Sequence, residues 1–600
     1  MTLTAQIKNA AEAALKIAFP ETDFPANIIS VNQTKPEFNG DYTVVLFPLV
    51  KILKQKPDVI GKAIGNQLLT DNAELFAAYE IVSGFLNLSV KDSFWSSFLL
   101  NHFNDSHFGE KPKKDKRVMV EYSSPNTNKP LHFGHLRNIF LGYAVAEILK
   151  ATGNQVVKAN LINDRGIHIC KSMIAWMEYG KGATPESTGI KGDHLVGDYY
   201  VKFNEAYKAQ VAALINGGME EKQAEKEAPI MKAAQELLRK WEAGDKDTRD
   251  LWHQMNVWVY RGFNVTYKKM GIDFDKFYYE SQTYLLGKTI VEQGLQKHVL
   301  KKKEDGSVWI DLTQDGLDEK LLLRSDGTSV YMTQDLGTAK LKYDDYKLDQ
   351  SIYVIGDEQN YHMQVLKLIL QKLKEPCASG IHHLSYGMVE LPSGKMKSRE
   401  GTVVDADDMI AEMISLAKTQ TEAAGKTEGF SEQELNELYE MIGLGALKFY
   451  LLRVDPKKKM IFNPQESIDL HGFTATFIQY AHARICSILR KEGLDLQPKN
   501  IRFQTFTLTQ DFLPAEKKLV VMLEQYCNII EEAARELNPS AICNYAFQLA
   551  QQFNSFYDAH SISHAENEEK KLLRLMLIIM TATLLRESMK LLGIKLPEKM

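Results

Sequence analysis

The first of two segments whose side chains could bind phosphate is SSPNTNKPLHFGHLRN at 123–138. It places His132 and His135 on either side of Gly134, between an apolar run, VMVEY, and a long stretch of helical spacing. A helix N-terminus offers unpaired N–H groups and partial positive charge that suit phosphate, and a glycine lets a nucleotide approach the backbone. Two imidazoles at that point could donate hydrogen bonds to a phosphoryl oxygen as negative charge develops on it.

The second segment, SGKMKSREGTVV at 393–404, is a basic loop bounded by glycines. Gly394 and Gly401 flank Lys395, Lys397, Ser398 and Arg399. Such a loop can close over a polyphosphate and bring positive charge to it. Each segment alone also fits ordinary polar surface, so the interpretation depends on the elements that position them.

Strands and helices alternate around both segments. The pattern predicts a strand at VMVEY, a helix over LRNIFLGYAVAEILKATG, strands at QVVKANLI and SIYVIG, and a helix over MQVLKLILQKL. This order predicts a parallel sheet with ligands at the carboxyl ends of its strands, in an α/β domain over 111–440. A polar, helix-rich stretch at about 180–250 interrupts the alternation as an insertion.

The two ends of the chain follow different patterns. Residues 1–110 combine a helix with strand-like runs, YTVVLFPLV and GFLNLSV, which predicts an α+β domain. In residues 441–600 apolar side chains recur at helical spacing, which predicts an all-α domain. The basic run KPKKDKR at 111–117 fits either a solvated linker or a phosphate contact.

Composition narrows the class of protein. The 600 residues include 72 Lys and Arg against 77 Asp and Glu, giving a net charge of −5, which argues against a uniformly cationic nucleic-acid binder. The five cysteines form no CxxC pair or zinc-finger spacing, which predicts free thiols in a reducing cytosol and no protein-ligated metal. The apolar stretch at 575–585 is too short for a membrane span and predicts a buried helix.

HFGH and KMKSR, in this order, resemble the HIGH and KMSKS signatures of class I aminoacyl-tRNA synthetases. Other segments narrow the resemblance to the arginyl-tRNA synthetase family: NDRGIH, VYMTQD, GDEQNYHMQVL, FIQYAHARI and the terminal LLGIKLPEKM. The resemblance implies a Rossmann-type α/β catalytic domain, an α+β N-terminal domain that contacts tRNA, and an all-α anticodon-binding domain. It implies ATP-dependent attachment of arginine to its tRNA through arginyl-adenylate, with activation that requires bound tRNA.

The resemblance also implies where ATP binds. ATP would lie across His132, Gly134 and His135 and would carry Mg²⁺ with it. Its triphosphate would point toward the basic loop, at Lys395, Ser398 and Arg399. The family signature has a lysine where this chain has Ser398, and we hypothesise that Lys129, just before HFGH, supplies the missing cation.

Arginine would be held by acids and amides. Tyr331 and Asp335, four residues apart on a predicted helix, share one face and match the family's YxxxD motif for the guanidinium. Glu280 matches an acid that binds the α-amino group or the guanidinium. Asn126 and Gln359 match positions that hold the amino acid, although Gln364 lies close enough for the register to slip. For the tRNA anticodon the implied residues are Tyr480, Arg484 and Met600; core packing is the alternative for Tyr480.

The resemblance further leads us to expect a monomer in the cytoplasm, without contact to a membrane. Three other interpretations remain open from the sequence. One is another class I synthetase or nucleotidyl-transferring enzyme. A second is an inactive relative that binds RNA as a scaffold, which the missing loop lysine would favour. A third is a phosphate-binding metabolic enzyme, which would leave the helical C-terminal region unexplained.

Overall fold

A computed structural model describes residues 2–35, 37–390, 392, 404–425, 427–496 and 511–600. The N-terminal part consists of α1 (Leu3–Ala18), β1 (Val31–Gln33), β2 (Tyr42–Val45), α2 (Phe47–Leu53), α3 (Pro57–Asp71), β3 (Phe76–Val82), β4 (Phe85–Val90) and α4 (Asp92–His102). The strands form an antiparallel sheet of order β1-β2-β4-β3. YTVVLFPLV is a strand only as far as Val45, because Pro48 in the first turn of α2 suits a helix start.

The central sheet has five parallel strands in the order β12-β11-β5-β6-β7. These strands are β5 (Arg117–Glu121), β6 (Gln155–Ile162), β7 (Lys276–Tyr279), β11 (Gln350–Gly356) and β12 (Ile381–Tyr386). Their helical connections include α5 (Phe133–Ala151), α6 (Ile167–Tyr179) and α15 (Asn360–Lys372). The chain leaves β5 in one direction across the sheet and later returns to β11 on its other side. The predicted α/β Rossmann-type arrangement is thus confirmed, with its topological switch point between β5 and β11.

Two excursions leave this sheet. Between α6 and β7 the chain forms α7 (Pro185–Thr188), α8 (Gly192–Asn216), α9 (Glu221–Glu227), α10 (Pro229–Ala243) and α11 (Lys246–Met270). We call α7–α11 the helical insertion; its helices continue to Met270. Between β7 and β11 lie α12 (Glu280–Thr283), α13 (Gly287–Gln296), β8 (Lys301–Lys302), β9 (Val308–Ile310), a 3₁₀ turn (Thr313–Asp315), β10 (Lys320–Leu323) and α14 (Tyr331–Tyr346). The strands β8–β10 form a small antiparallel sheet that the sequence patterns did not predict.

The C-terminal part is helical, as predicted. It contains α16 (Ala406–Ala423), α17 (Glu432–Leu452), α18 (Pro464–Ser467), α19 (Ala475–Lys491), α20 (Pro514–Glu524), α21 (Tyr526–Glu536), α22 (Ser540–Ala559) and α23 (Glu568–Leu591). A short parallel pair, β13 (Val389–Glu390) with β14 (Met460–Ile461), connects it to the catalytic part, and 3₁₀ turns occur at Asp357–Gln359 and Ala378–Gly380.

Helix α23 contains the predicted buried apolar stretch, and its residues from Leu573 to Leu585 are all buried. No helix in the described parts of the chain combines the length and apolarity that a membrane crossing requires. All five cysteines are free thiols, and only Cys527 among them is partly exposed.

Candidate active site

The HFGH segment forms the start of α5, directly behind the end of β5. His132 is the N-cap residue, and its backbone N–H donates to Nδ1 of His135 over 3.0 Å. The two imidazole rings stack with their centroids 3.7 Å apart. Because Nδ1 of His135 accepts a hydrogen bond, its proton resides on Nε2, where it can be donated to a ligand.

Both imidazoles are neutral at physiological pH. Burial, aided by the nearby Lys129 ammonium, lowers the pKa of His132 to about 3. Burial and the neighbouring His132 and Lys129 hold the pKa of His135 well below its usual range. Burial also lowers the pKa of Lys129. The histidine pair therefore offers neutral N–H donors, and Lys129 supplies a positive charge beside it.

Gly134 lies directly against the His132 ring. A Cβ atom at this position would lie 3.0 Å from Cε1 and 3.1 Å from Nδ1 of His132. These contacts are tighter than most packed Cβ contacts, so a larger residue here would press on the His132 ring and require it to shift by a few tenths of an ångström. The sequence predicts that Gly134 lets a nucleotide approach the backbone. In the structure, this glycine also leaves room for the His132 ring.

The turn between β5 and α5 is strained and held in place by hydrogen bonds. Ser123 and Ser124 have φ angles of 74° and 44°, which non-glycine residues rarely adopt. The backbone N–H of Ser123 donates to Oδ1 of Asn138 over 2.6 Å, and that of Ser124 donates to Oδ1 of Asn160 over 3.1 Å. Asn138 also donates to the Val354 carbonyl of β11 over 2.6 Å. Asn138 thus connects the two strands that flank the switch point.

The segment after the basic loop pairs with HFGH. Phe133 N–H donates to the Val404 carbonyl over 2.9 Å, and Ala406 N–H donates to the Leu131 carbonyl over 3.0 Å. The loop residues named above, Lys395, Ser398 and Arg399, lie outside the described residues. Asp405, which follows the loop, caps α16.

A cluster of His194, Asp405 and Asp407 lies next to this pairing, with ligand atoms within 4.8 Å of one another. The Asp407 carboxylate already accepts hydrogen bonds from the Lys191 ammonium and from Thr266 Oγ1. Hydrogen bonds from His194 and Lys191 lower the pKa of Asp407 against its burial. The cluster is thus a paired ionic junction between the helical insertion and the start of α16.

A cleft of about 1240 Å³ opens at the carboxyl ends of the strands, over the switch point. Its lining includes every residue that the resemblance implied for arginine: Asn126, Glu280, Tyr331, Asp335 and Gln359. His135 also lines it, whereas His132, Gly134 and Lys129 are not among the lining residues. Gln359 is on the cleft, and the alternative Gln364 is exposed on α15 outside the lining.

Asp335 has a partner that the sequence argument missed. His362 Nε2 lies 2.6 Å from Asp335 Oδ2, joining α15 to α14. Tyr331, one helical turn before Asp335, is 77% exposed and leaves the cleft open at this side. The only sequence signal for His362 was its place in GDEQNYHMQVL, three residues after Gln359.

Glu280, on α12, lines the same cleft and lies within electrostatic range of Asp335. Burial raises the pKa of Glu280 to about 7; the Arg165 cation opposes this rise, and the Asp164 and Asp335 carboxylates add to it. Asp164 accepts hydrogen bonds from Ser281 N–H over 2.8 Å and from Ser281 Oγ over 2.7 Å. The sequence argument overlooked both Asp164 and Arg165, which belong to NDRGIH.

The residues implied for the anticodon lie on α19. The Arg484 guanidinium carbon is 4.9 Å from the Tyr480 ring centre and 5.5 Å from that of Tyr557, and Arg484 donates to Asn554 over 3.0 Å. Tyr480 is half-buried, at the border between the packed and solvent-facing sides of the helix. The C-terminal tail packs on the same helix, where His482 contacts the Pro597 carbonyl and Met600 packs against the core.

Three protein families match successive parts of this chain. The N-terminal domain of arginyl tRNA synthetases matches residues 2–90. The catalytic domain of class I (R) tRNA synthetases matches residues 98–463. The DALR anticodon binding domain matches residues 478–600.

Similar proteins extend over the full length. An arginine–tRNA ligase of Parabacteroides distasonis is 51% identical over 606 residues, covering 100% of both chains. One from Amoebophilus asiaticus is 49% identical over 602 residues, covering 100% of this chain and 99% of its own. Among solved structures, Thermus thermophilus arginyl-tRNA synthetase is 25% identical, with a TM-score of 0.81 and 100% of both chains covered.

Proposed function

Since the chain belongs to the arginyl-tRNA synthetase family, which charges tRNA-Arg with arginine through an aminoacyl-adenylate, we propose that the cleft over the switch point is where its chemistry takes place. The observation that carries this proposal is the meeting of two acids, Glu280 and Asp335, with His135 of HFGH in one cleft. Carboxylates are suited to a guanidinium, and imidazole N–H groups are suited to a phosphate.

In this proposal arginine is selected by complementary charge. Asp335 and Tyr331 hold the guanidinium, and Glu280 accepts a second cationic group of the substrate. Asn126 and Gln359 hold the amino-acid end. Such a pocket favours a planar, permanently charged guanidinium over neutral side chains.

ATP is proposed to lie across His132, Gly134 and His135. The carboxylate of arginine attacks the α-phosphorus, pyrophosphate leaves, and a ribose hydroxyl of the tRNA then displaces AMP to receive the arginyl group. His135 donates its Nε2–H to a phosphoryl oxygen as charge builds there. Lys129, with Lys395 and Arg399 of the basic loop, stabilises the departing pyrophosphate, which carries Mg²⁺ held mainly by its own oxygens and water. Ser398 contacts the nucleotide in place of the signature lysine.

We also propose the division of labour along the chain. Residues 1–110 contact the tRNA, residues 111–440 perform the chemistry, and residues 441–600 read the anticodon. Tyr480 and Arg484 supply a stacking surface for an unpaired base, and Met600 completes the anticodon site. The enzyme is proposed to act as a cytoplasmic monomer.

Exchange of labelled pyrophosphate into ATP tests the function. We expect exchange with arginine in the presence of total tRNA, little exchange without tRNA, and none with lysine. Exchange with another amino acid would instead indicate a different class I synthetase. Tight tRNA binding without any exchange would indicate an inactive RNA-binding relative.

A further inference from the structure

The turn that carries Glu280 is held from outside the sheet. Glu280 begins α12, and the backbone N–H of Tyr284, one turn later, donates to the Glu280 carbonyl over 3.0 Å. At the start of this turn, Asp164 binds Ser281 through two hydrogen bonds. At its end, the guanidinium of Arg165 lies 4.0 Å from the centre of the Tyr284 ring. Asp164 and Arg165, which are consecutive in the sequence, therefore contact the Glu280 turn at its two ends.

The helical insertion in turn holds these two residues. The Asp164 carbonyl accepts hydrogen bonds from Trp252 Nε1 over 2.6 Å and from Asn256 Nδ2 over 3.2 Å, both on α11. Arg165 donates to Glu242 of α10 over 2.8 Å and lies 5.3 Å from the Trp241 ring. The Arg165 side chain is only 9% exposed, so its cation is fixed in place.

We propose that Arg165 is a positioning residue for arginine recognition, which the helical insertion holds beside Glu280 to keep that carboxylate charged and oriented toward the substrate. This inference rests on the proposed role of Glu280 in binding arginine. The proposal gives the helical insertion a function. Trp241 and Glu242 of α10 hold the Arg165 cation, and α11 holds the preceding residue, Asp164.

The electrostatic reason is a balance of opposing effects on one carboxyl group. Burial and the carboxylates of Asp164 and Asp335 favour the neutral acid, which cannot bind a cation through charge. Arg165 is the cation that opposes them. With Arg165 present, the pKa of Glu280 is about 7, so the acid is ionised in a substantial fraction of molecules at neutral pH. Without Arg165, that pKa rises further and the neutral form dominates.

The test is the pH profile of kcat/KM for arginine in tRNA-supported pyrophosphate exchange, from pH 6 to about pH 9, because this ratio reports ionisations of the free enzyme. In the parent enzyme we expect kcat/KM to fall as the pH drops below about 7; we call this fall the acid limb of the profile. Glu280→Gln should abolish the acid limb. Arg165→Met keeps the aliphatic packing on Tyr284 but removes the charge. It should move the acid limb up by about one pH unit, lower the ratio about fivefold at pH 7, and recover toward the parent at the alkaline end.

Two controls separate charge from packing. Arg165→Lys keeps the cation and should leave the limb within a few tenths of a pH unit of its original position. Arg249 also stacks on Trp241, at 5.3 Å, but does not line the cleft, so Arg249→Met should leave the profile unchanged. If Arg165→Met loses its native circular dichroism, Arg165→Gln takes its place.

The outcomes distinguish this inference from the proposed function. An unmoved limb in Arg165→Met, or equal shifts in the Met and Lys variants, overturns the role of the Arg165 charge while leaving Glu280 in the site. If Glu280→Gln itself leaves kcat/KM for arginine unchanged, Glu280 does not bind the substrate, and the proposed function loses that residue.

Discussion

The two acids of the cleft meet the substrate in different states. Asp335 is partly exposed and held by His362 at 2.6 Å, whereas Glu280 is enclosed and has a pKa of about 7. If Glu280 binds the substrate as proposed, the bound cation favours its ionised form, and arginine binding below neutral pH releases a proton from it. Asp335 instead provides a carboxylate whose position is set before the substrate arrives.

Asp335→Asn tests that fixed carboxylate. The change keeps the size of the side chain and removes the charge, which should cost roughly 2–4 kcal/mol of transition-state binding. We therefore expect kcat/KM for arginine to fall at least about 30-fold in pyrophosphate exchange. Asp344→Asn is the matched control, because Asp344 lies on the same helix and faces Lys340 and Lys347 instead of the cleft. An unaltered kcat/KM in Asp335→Asn would remove this residue from the pocket.

Lys129→Ala tests whether Lys129 supplies the cation that the signature lysine would provide. Lys129 lies close enough to His132 and His135 to lower the pKa of both, and a cation there can stabilise the departing pyrophosphate. We expect arginine-dependent exchange to fall by about 100-fold in kcat, with a smaller change in KM for arginine. Lys150→Ala, at the exposed far end of α5, the helix that follows Lys129, should have no effect. If Lys129→Ala exchanges at the parent rate, another group compensates for Ser398.

At the scale of secondary structure, α5 connects the chemistry to the sheet. Asn138 receives the Ser123 N–H and donates to the Val354 carbonyl, so one side chain holds the strained turn and the neighbouring strand together. Two serines with positive φ cost free energy that such contacts must offset. The geometry of HFGH thus depends on Asn138, a residue outside HFGH that also lines the cleft.

Asn138→Leu should therefore be costly in two ways. It keeps the side-chain volume but leaves a buried N–H and a buried carbonyl unpaired, each at about 1–3 kcal/mol. Urea unfolding should show a lower midpoint, and exchange should lose kcat because the turn before HFGH relaxes. Asn154→Leu is a suitable comparison, since Asn154 makes its hydrogen bonds at the far end of α5, to Leu149 and Thr152. Equal stability of the Asn138 variant and the parent would contradict this account.

The sequence could predict elements whose pattern is local. QVVKANLI coincides with β6 (Gln155–Ile162), and the helix predicted after HFGH is α5, because buried strands and long helices have distinctive apolar runs. The contacts that complete the cleft could not be predicted in this way. Asp335 and His362 are 27 residues apart, and Arg165 and Glu242 are 77 apart, on elements whose mutual approach depends on tertiary packing. The resemblance to the family identified the acids proposed to bind the substrate, but not the residues that hold those acids in place.

At the scale of the whole molecule, net charge and partner are compatible. A chain with a net charge of −5 is not uniformly cationic, yet the family binds tRNA. Uniform cationic attraction would hold any RNA, with affinity set mainly by salt. In the proposed site, the acids Glu280 and Asp335 also select a cationic amino acid. The composition therefore excludes one mode of RNA binding and leaves local recognition.

A buried carboxyl group is one of the contacts that join the N-terminal and C-terminal parts. Glu524 of α20 accepts hydrogen bonds from the Leu3 N–H over 3.1 Å and from the Tyr42 hydroxyl over 2.5 Å. Burial raises the pKa of Glu524 above its usual value. The stability it contributes is therefore complete at pH values below its unfolded pKa and decreases as the pH rises through its folded pKa.

Glu524→Ala should consequently weaken this junction in a pH-dependent way. Loss of two buried hydrogen bonds should lower the free energy of unfolding by about 2 kcal/mol at pH 4.5, and the difference from the parent should narrow by pH 8. Urea unfolding of both proteins at each pH measures that difference directly. Glu532→Ala, on the exposed side of the adjacent helix α21, should match the parent throughout. A gap that widens with pH would mean that the ionised carboxylate, and not the neutral acid, holds the N-terminal part against the helical C-terminal part.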